Sequence, residues 1–209
     1  MNNKKILCGI LAVFMIALSG CTPREQSSEI SLTSSESQKA LSVEIPKDTL
    51  TQQDKEAYNN KYIQPYSIVG FLYESWSNAE ELGADKLIKF YEYNVYYDYA
   101  AQLEQKDPDQ YQAYTGTVPA DNVESYVSAY FEVDKSYLRT ASNFDPATET
   151  YTFPKEFGIG GGPGFELDRV QKDDDNNIWT FVCLDINGRE LSVSVKILNE
   201  DQFYYVAGN

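Results

Sequence analysis

Apolar positions change their spacing several times along this chain, and each change marks a different kind of segment. An uncharged run from Ile6 to Leu18 follows Lys4 and Lys5 and ends in Ser19, Gly20 and Cys21. A positive start, an apolar stretch shorter than the ~20 residues of a spanning helix, and small residues before a cut site are the parts of an export signal. Residues 1–20 are therefore expected to be removed. Apolar periodicity then vanishes up to Gln52, where Ser27, Ser28, Ser31, Ser34 and Ser35 are interleaved with Glu25, Glu29 and Glu36. Such a stretch buries too little apolar surface to offset the entropy of ordering, so 21–52 is expected to be a disordered tether.

From residue 53 to 209 the apolar spacing returns, first with a helical period. Ile68, Val69, Phe71, Leu72 and Trp76 cluster after Pro65. A helix is expected over Lys86 to Gln105, with Asp85 as its N-cap and Pro108 beyond its end. On it Leu87, Ile88, Tyr91, Val95 and Tyr99 fall on one stripe, and Phe90, Tyr93 and Tyr97 on another. A second helix carries Val123, Tyr126, Val127, Tyr130 and Phe131 at i, i+3, i+4, i+7, i+8, with Asp121 and Glu124 as a capping-box-like start after Pro119. Asp134 is placed to start a short turn carrying Tyr137 and Leu138.

After Pro146 the period drops to two. Short strands are expected at Glu149–Phe153, Phe165–Gln171, Ile178–Asp185, Glu190–Leu198 and Phe203–Val206. Asn187-Gly188 is a two-residue hairpin signal of type I′, and the 173–177 and 199–201 segments supply other turns. Strands joined by turns this short are antiparallel neighbours. The fold class expected is α+β, with N-terminal helices packed on a C-terminal antiparallel meander of about four to five strands.

Charge narrows the partners. Against 17 Lys and Arg stand 32 Asp and Glu, for a net charge of −15, and loss of Lys4 and Lys5 makes the mature chain two units more negative. No nucleic-acid partner is expected, because phosphate binding rests on Lys and Arg. The same acidity argues against a polybasic clamp on anionic lipid. Membrane contact would instead come through Cys21: Leu18, Ser19, Gly20 and Cys21 look like a lipobox, where a cysteine is acylated with chains such as palmitate and becomes the new N-terminus. The expected location is the extracellular face of the cytoplasmic membrane, held by lipid.

Absence of histidine removes Ser-His-Asp and Cys-His nucleophiles, HExxH and most zinc sites. No cofactor and no metal-ligand set is expected. Cys183 lies between Val182 and Leu184 and reads as a buried small hydrophobe. The glycine-rich run 158–164 leads into a strand rather than a helix, so it lacks the N-terminal amides that hold phosphate. Asp173, Asp174 and Asp175 open like a calcium loop, but Ile178 and Leu184 replace its glycine and its final glutamate. Paired carboxylates, as in a glycosidase-like envelope hydrolase, are the alternative chemistry, and so many acidic residues make candidate pairs uninformative.

The tyrosine-rich helix offers the one residue-level lead. Tyrosine joins an apolar face to a polar tip, which suits interfaces and flat ligands. Tyr93 and Tyr97 are the candidate ligand-binding residues, expected on an exposed face. The expected role is a non-catalytic binding or accessory protein of the cell envelope, with a protein, peptide or glycan as partner; a purely structural role in an envelope complex is the third reading.

Val123-Glu124-Ser125-Tyr126, Tyr130-Phe131-Glu132-Val133, Tyr137-Leu138-Arg139, Phe144-Asp145-Pro146, Thr150-Tyr151 and the following glycine cluster together resemble a module of uncharacterised lipoproteins from Gram-positive, clostridia-like bacteria. That resemblance implies a Gram-positive envelope setting and no catalytic residue. In outline, helices against an antiparallel meander are similar to cystatin-like and NTF2-like folds, a likeness of fold that says little about function.

Overall fold

Period-two alternation in the C-terminal third becomes a meander in the computed structural model, which describes residues 42–155 and 164–209. In chain order come β1 (Val43–Pro46), α1 (Gln52–Tyr58), a π-helical turn (Asn59–Ile63) and α2 (Gln64–Ser67). Next are α3 (Ala84–Tyr91), a second π turn (Glu92–Tyr96), α4 (Tyr97–Lys106) and α5 (Pro108–Ala113). Then follow β2 (Thr117–Pro119), α6 (Ala120–Tyr130), α7 (Lys135–Leu138), β3 (Phe144–Asp145) and β4 (Thr150–Thr152). The chain closes with β5 (Phe165–Asp173), β6 (Ile178–Asp185), β7 (Glu190–Ile197) and β8 (Phe203–Gly208). One antiparallel sheet has the order β1-β5-β6-β7-β8, and a smaller one has β2-β4-β3. The fold is α+β, with helices preceding the meander.

Alternation decides which sheet face is covered. Phe181 pairs with Val193 and Cys183 with Leu191, so these residues share a face, and all four are buried against the helices. From the helices come Ile63, Tyr66, Leu87, Phe90, Val127 and Phe131, all buried. Removing each such side chain from water stabilises the fold by about 1.5–3 kcal/mol. Aromatic contacts join the layers: Tyr62 stacks on Phe181 at 4.9 Å, and Phe131 lies 5.3 Å from Tyr205. The opposite face is polar, with Thr180 bonded to Ser194 at 2.8 Å and Arg169 held by Glu190 and Asp168 at 3.0 and 2.8 Å.

Five local expectations need correction. The segment assigned to the tether enters the fold before Gln52: Val43–Pro46 adds an edge strand to β5, pairing Ile45 with Val170. Thr51 then caps α1 in a reciprocal capping box with Asp54. A four-residue strand between polar neighbours has too little alternation to be read, and its partner supplies the reason it forms. Asp85 does not cap its helix, which starts at Ala84 behind Gly83; its carboxylate instead accepts the amide of Ser142 at 2.6 Å. Asp121 and Glu124 form no capping box. Glu124 is fully buried, where the Arg139 guanidinium meets both its oxygens at 2.7 and 3.3 Å. Asn187-Gly188 is not a two-residue I′ turn: Gly188 alone of the pair has a positive φ (+76°), and its amide bonds to Asp185, giving a three-residue loop.

The fifth correction concerns the long helix. It runs from Ala84 to Lys106 without a break, but its middle turn, Glu92–Tyr96, is π-helical. A π turn holds one residue more than an α turn, so every later side chain is displaced around the axis. A straight helix would align Tyr91, Val95 and Tyr99. Here Tyr91, Tyr96 and Ala100 are buried, and Tyr99 stands half out of the fold. The first π turn has a visible cause in Pro65, which has no amide to give the carbonyl four residues back.

Candidate functional site: a tyrosine-lined cavity

The displaced register builds a cavity of about 360 Å³ beside the second π turn. Tyr91, Val95, Tyr96 and Tyr99 come from the long helix. Tyr114 comes from the end of α5, Thr117 to Pro119 from β2, and Asn122 from the first turn of α6. Three connections therefore converge on one helix face, as small-molecule sites commonly do.

Ring packing gives the cavity its walls. Phe153 backs both Tyr96, at 4.9 Å between centroids, and Tyr91, at 5.7 Å. Tyr114 lies 6.2 Å from Tyr96 with the rings tilted by 31°, and 5.8 Å from Tyr99 with the rings at 74°. Tyr96 and Tyr99 thus face Tyr114 as two sides of a corner. Gly116 lets the backbone pass close behind: a Cβ there would sit 2.2 Å from the Phe153 carbonyl oxygen and 3.1 Å from the Tyr96 hydroxyl.

Polar groups in this cavity are neutral. Tyr96 is 1 % exposed, yet its hydroxyl has no hydrogen-bond partner among the described residues. An unmatched buried hydroxyl costs about 1–3 kcal/mol. Burial, reinforced by the neighbouring Tyr114 and Tyr111 hydroxyls and by Glu92, pushes the Tyr96 phenol up to about 12. Burial likewise pushes Tyr114 up to about 12 and raises Tyr91. At neutral pH these groups keep their protons and can donate. Among the described residues, none that lines the cavity carries a charge.

The two residues singled out from sequence lie elsewhere. Tyr97 is buried, 8 % exposed, and its hydroxyl donates to Glu92, itself a buried carboxylate. Burial first, and that hydrogen bond second, raise the Tyr97 phenol well above its ordinary range. Tyr93 is half-buried, edge-on to Tyr97 at 5.1 Å. The exposed stripe expected from Phe90, Tyr93 and Tyr97 does not exist, because Phe90 and Tyr97 turn into the core. Tyr93 does line a second, more polar cavity of about 510 Å³ together with Asp85, Lys89, Glu92 and Asn143. Its two carboxylates are already engaged, Asp85 by Ser142 and Glu92 by Tyr97. Sequence reasoning found the tyrosine-rich helix and missed Tyr96, Tyr99 and Tyr114 as a group. The clustering of five tyrosines between positions 91 and 99 was the available signal.

Remaining sequence candidates have plain structural settings. Cys183 is fully buried, and burial pushes its thiol up to about 12. Asp173 spends its carboxylate on Asn176, at 3.2 Å to the amide and 2.8 Å to the side chain. Among the described residues, no three His, Cys, Asp or Glu side chains converge as metal ligands would. No described helix is long and apolar enough to cross a membrane. The signal segment 1–20, Cys21, the tether up to residue 41 and glycines 158 and 160–162 lie outside the described residues. Comparison with known proteins gives no match to any protein family, curated protein or solved structure.

Proposed function

We propose that the chain is a lipid-anchored binding protein of the cell envelope, held at Cys21 on the outer face of the cytoplasmic membrane, whose tyrosine-lined cavity takes a small ligand. The observation that carries the ligand site is the cavity itself: about 360 Å³ walled by the rings of Tyr91, Tyr96, Tyr99 and Tyr114, with no charged side chain among the described lining residues. Rings fixed in place before a ligand arrives bind it with little ordering cost. Anchoring rests on the lysines, apolar run and small residues ahead of Cys21. A lipid tether suits a binding role, because it concentrates the site at a surface without requiring catalysis. The resemblance to clostridia-like lipoproteins supports the same setting.

Two measurements test the two halves separately. Cys21→Ser should abolish incorporation of labelled fatty acid; equal labelling of the variant would refute the anchor. For the site, a small-molecule fragment screen followed by NMR should place its strongest shifts on the Tyr91, Tyr96, Tyr99 and Tyr114 rings. Hits that map instead to the Asp85–Glu92 cavity would refute the assignment.

A further inference from the structure

We infer that the chain carries a second ligand site, for an alkylated ammonium ion, where α6 meets the turn between β7 and β8. It shares no lining residue with the tyrosine cavity and stands or falls apart from it.

A cavity of about 310 Å³ opens there. Tyr126, Ala129 and Tyr130 line it from one face of α6, at the i, i+3, i+4 spacing that sets side chains side by side. Leu198 and Asp201 come from the 198–202 turn, and Phe203 from the start of β8. The rings form a bent wall: Tyr130 lies 5.1 Å from Tyr126 at 52° and 5.6 Å from Phe203 at 69°. Phe203 is buried, both tyrosines are half-buried and Leu198 is 46 % exposed, which leaves apolar surface open to a ligand.

Among the described residues, Asp201 alone brings a charge to that lining. Its carboxylate has no hydrogen bond and no ion pair among them; its amide is held by the Asn199 side chain at 3.0 Å. Asn199 also bonds the Gln202 amide at 3.1 Å and the Gln202 side chain at 2.8 Å, which fixes the turn. Lys61 reaches the same turn but donates to the Glu200 carbonyl and lies over the Tyr62 ring at 5.3 Å. The carboxylate is therefore left without a counter-charge beside a wall of rings.

Those features select among occupants. An anion would meet Asp201 as a like charge. A calcium or magnesium ion needs six or more oxygens, and one carboxylate among rings does not supply them. A hydrocarbon would cover the carboxylate and strip its water with nothing in return. A neutral polar molecule can bond to the carboxylate but leaves its charge unbalanced. An alkylated ammonium sets its charge beside Asp201 and its methyl sheath against the negative faces of the rings. A flat guanidinium stacks on one ring face, whereas rings at 52° and 69° make a wall that fits a round group. A chain of net charge −15 also draws cations to its surface.

The test is a titration of the full chain, purified in a detergent without an ammonium group, read by calorimetry and NMR. The probes are choline and 3,3-dimethyl-1-butanol, which has the same shape and no charge. Choline should bind saturably, shift Tyr126 and Tyr130, and bind about fivefold or more tighter than the alcohol. Asp201→Asn, an isosteric change on an exposed turn, should weaken choline about fivefold and leave the alcohol unchanged. Tyr130→Leu keeps apolar area but removes the ring, and should weaken choline about threefold to tenfold. The comparison of choline with the alcohol uses the unaltered chain, so it holds even where Tyr130→Leu folds poorly. Equal affinity for the two probes would overturn the cation, as would choline binding that Asp201→Asn does not change. Tighter binding of methylguanidinium would overturn the ammonium, and choline shifts centred on Tyr99 and Tyr114 would overturn the place. Absence of saturable choline binding overturns the site outright and leaves the fragment test of the tyrosine cavity unaffected.

Discussion

Gly116→Ala is the substitution whose cost the structure sets most sharply. Gly116 has φ +76° and lies where the chain enters β2, its carbonyl accepting from the Phe153 amide at 2.9 Å. An alanine meets two penalties there. The left-handed backbone costs an L side chain about 1–2 kcal/mol. Its Cβ would also lie 2.2 Å from the Phe153 carbonyl oxygen, a backbone atom that cannot swing aside. Relieving that overlap separates the strands and sacrifices the hydrogen bond, worth about 1 kcal/mol, with further loss of packing around Phe153. The sum is about 3–4 kcal/mol. Gly188 is the internal control: its φ is also +76°, but a Cβ there meets nothing within 4 Å, so Gly188→Ala should cost only about 1–2 kcal/mol. Urea unfolding followed by intrinsic fluorescence reads both. With a slope near 2 kcal/mol/M, Gly116→Ala should move the midpoint down by about 1.5–2 M and Gly188→Ala by less than about 1 M. Equal shifts for the two variants would refute the close passage of β2 behind Tyr96, and with it the shape of the cavity.

Two further outcomes follow from the packing. Burial raises the phenols of Tyr66, Tyr96, Tyr114, Tyr126 and Tyr151 above their ordinary value. Their folded forms therefore hold protons that the unfolded chain gives up near pH 10, so this stability is complete below about pH 10 and is lost as the pH rises towards 12. A spectrophotometric titration should show exposed tyrosines ionising first and the buried set only together with unfolding; a single transition of all tyrosines near pH 10 would contradict it. A chain beginning after Gln52 should melt several degrees below one that keeps Val43–Gln52, because it lacks the β1 edge strand and the Thr51 cap. Equal melting temperatures would show that the segment contributes nothing to the fold.

Strands and helices of the domain were legible where one period ran unbroken against one neighbour. β7 alternates Leu191, Val193 and Val195 inward, and these same residues are buried. Of the stripe expected on the second helix, Val123, Val127 and Phe131 are buried, while Tyr126 and Tyr130 are half-buried at its edge. Legibility failed where tertiary partners set the outcome. β1, β2 and β3 have four, three and two residues, too few for a period. Glu124 reads locally as a cap and is claimed instead by Arg139, fifteen residues away. The π turn at Glu92–Tyr96 has no residue signature, and the one position it adds moved the functional lead from Tyr93 and Tyr97 to Tyr96 and Tyr99. Tyr114 joins them from another element, a meeting that spacing along one helix cannot reveal.

The central claim is that the fold keeps the Tyr96 hydroxyl buried and unpartnered behind the tyrosine cavity rather than using it to hold the core. The melting temperature of Tyr96→Phe, taken without ligand, tests it most directly. A hydroxyl with no partner among the described residues contributes nothing to hold the core, and removing it relieves a buried polar group. The melting temperature should stay level or rise by about 2–4 °C, the shift that ~1 kcal/mol produces in a domain of this size. A fall of the same size would contradict the account, since it would give that hydroxyl a structural bond and the cavity no reason to be polar.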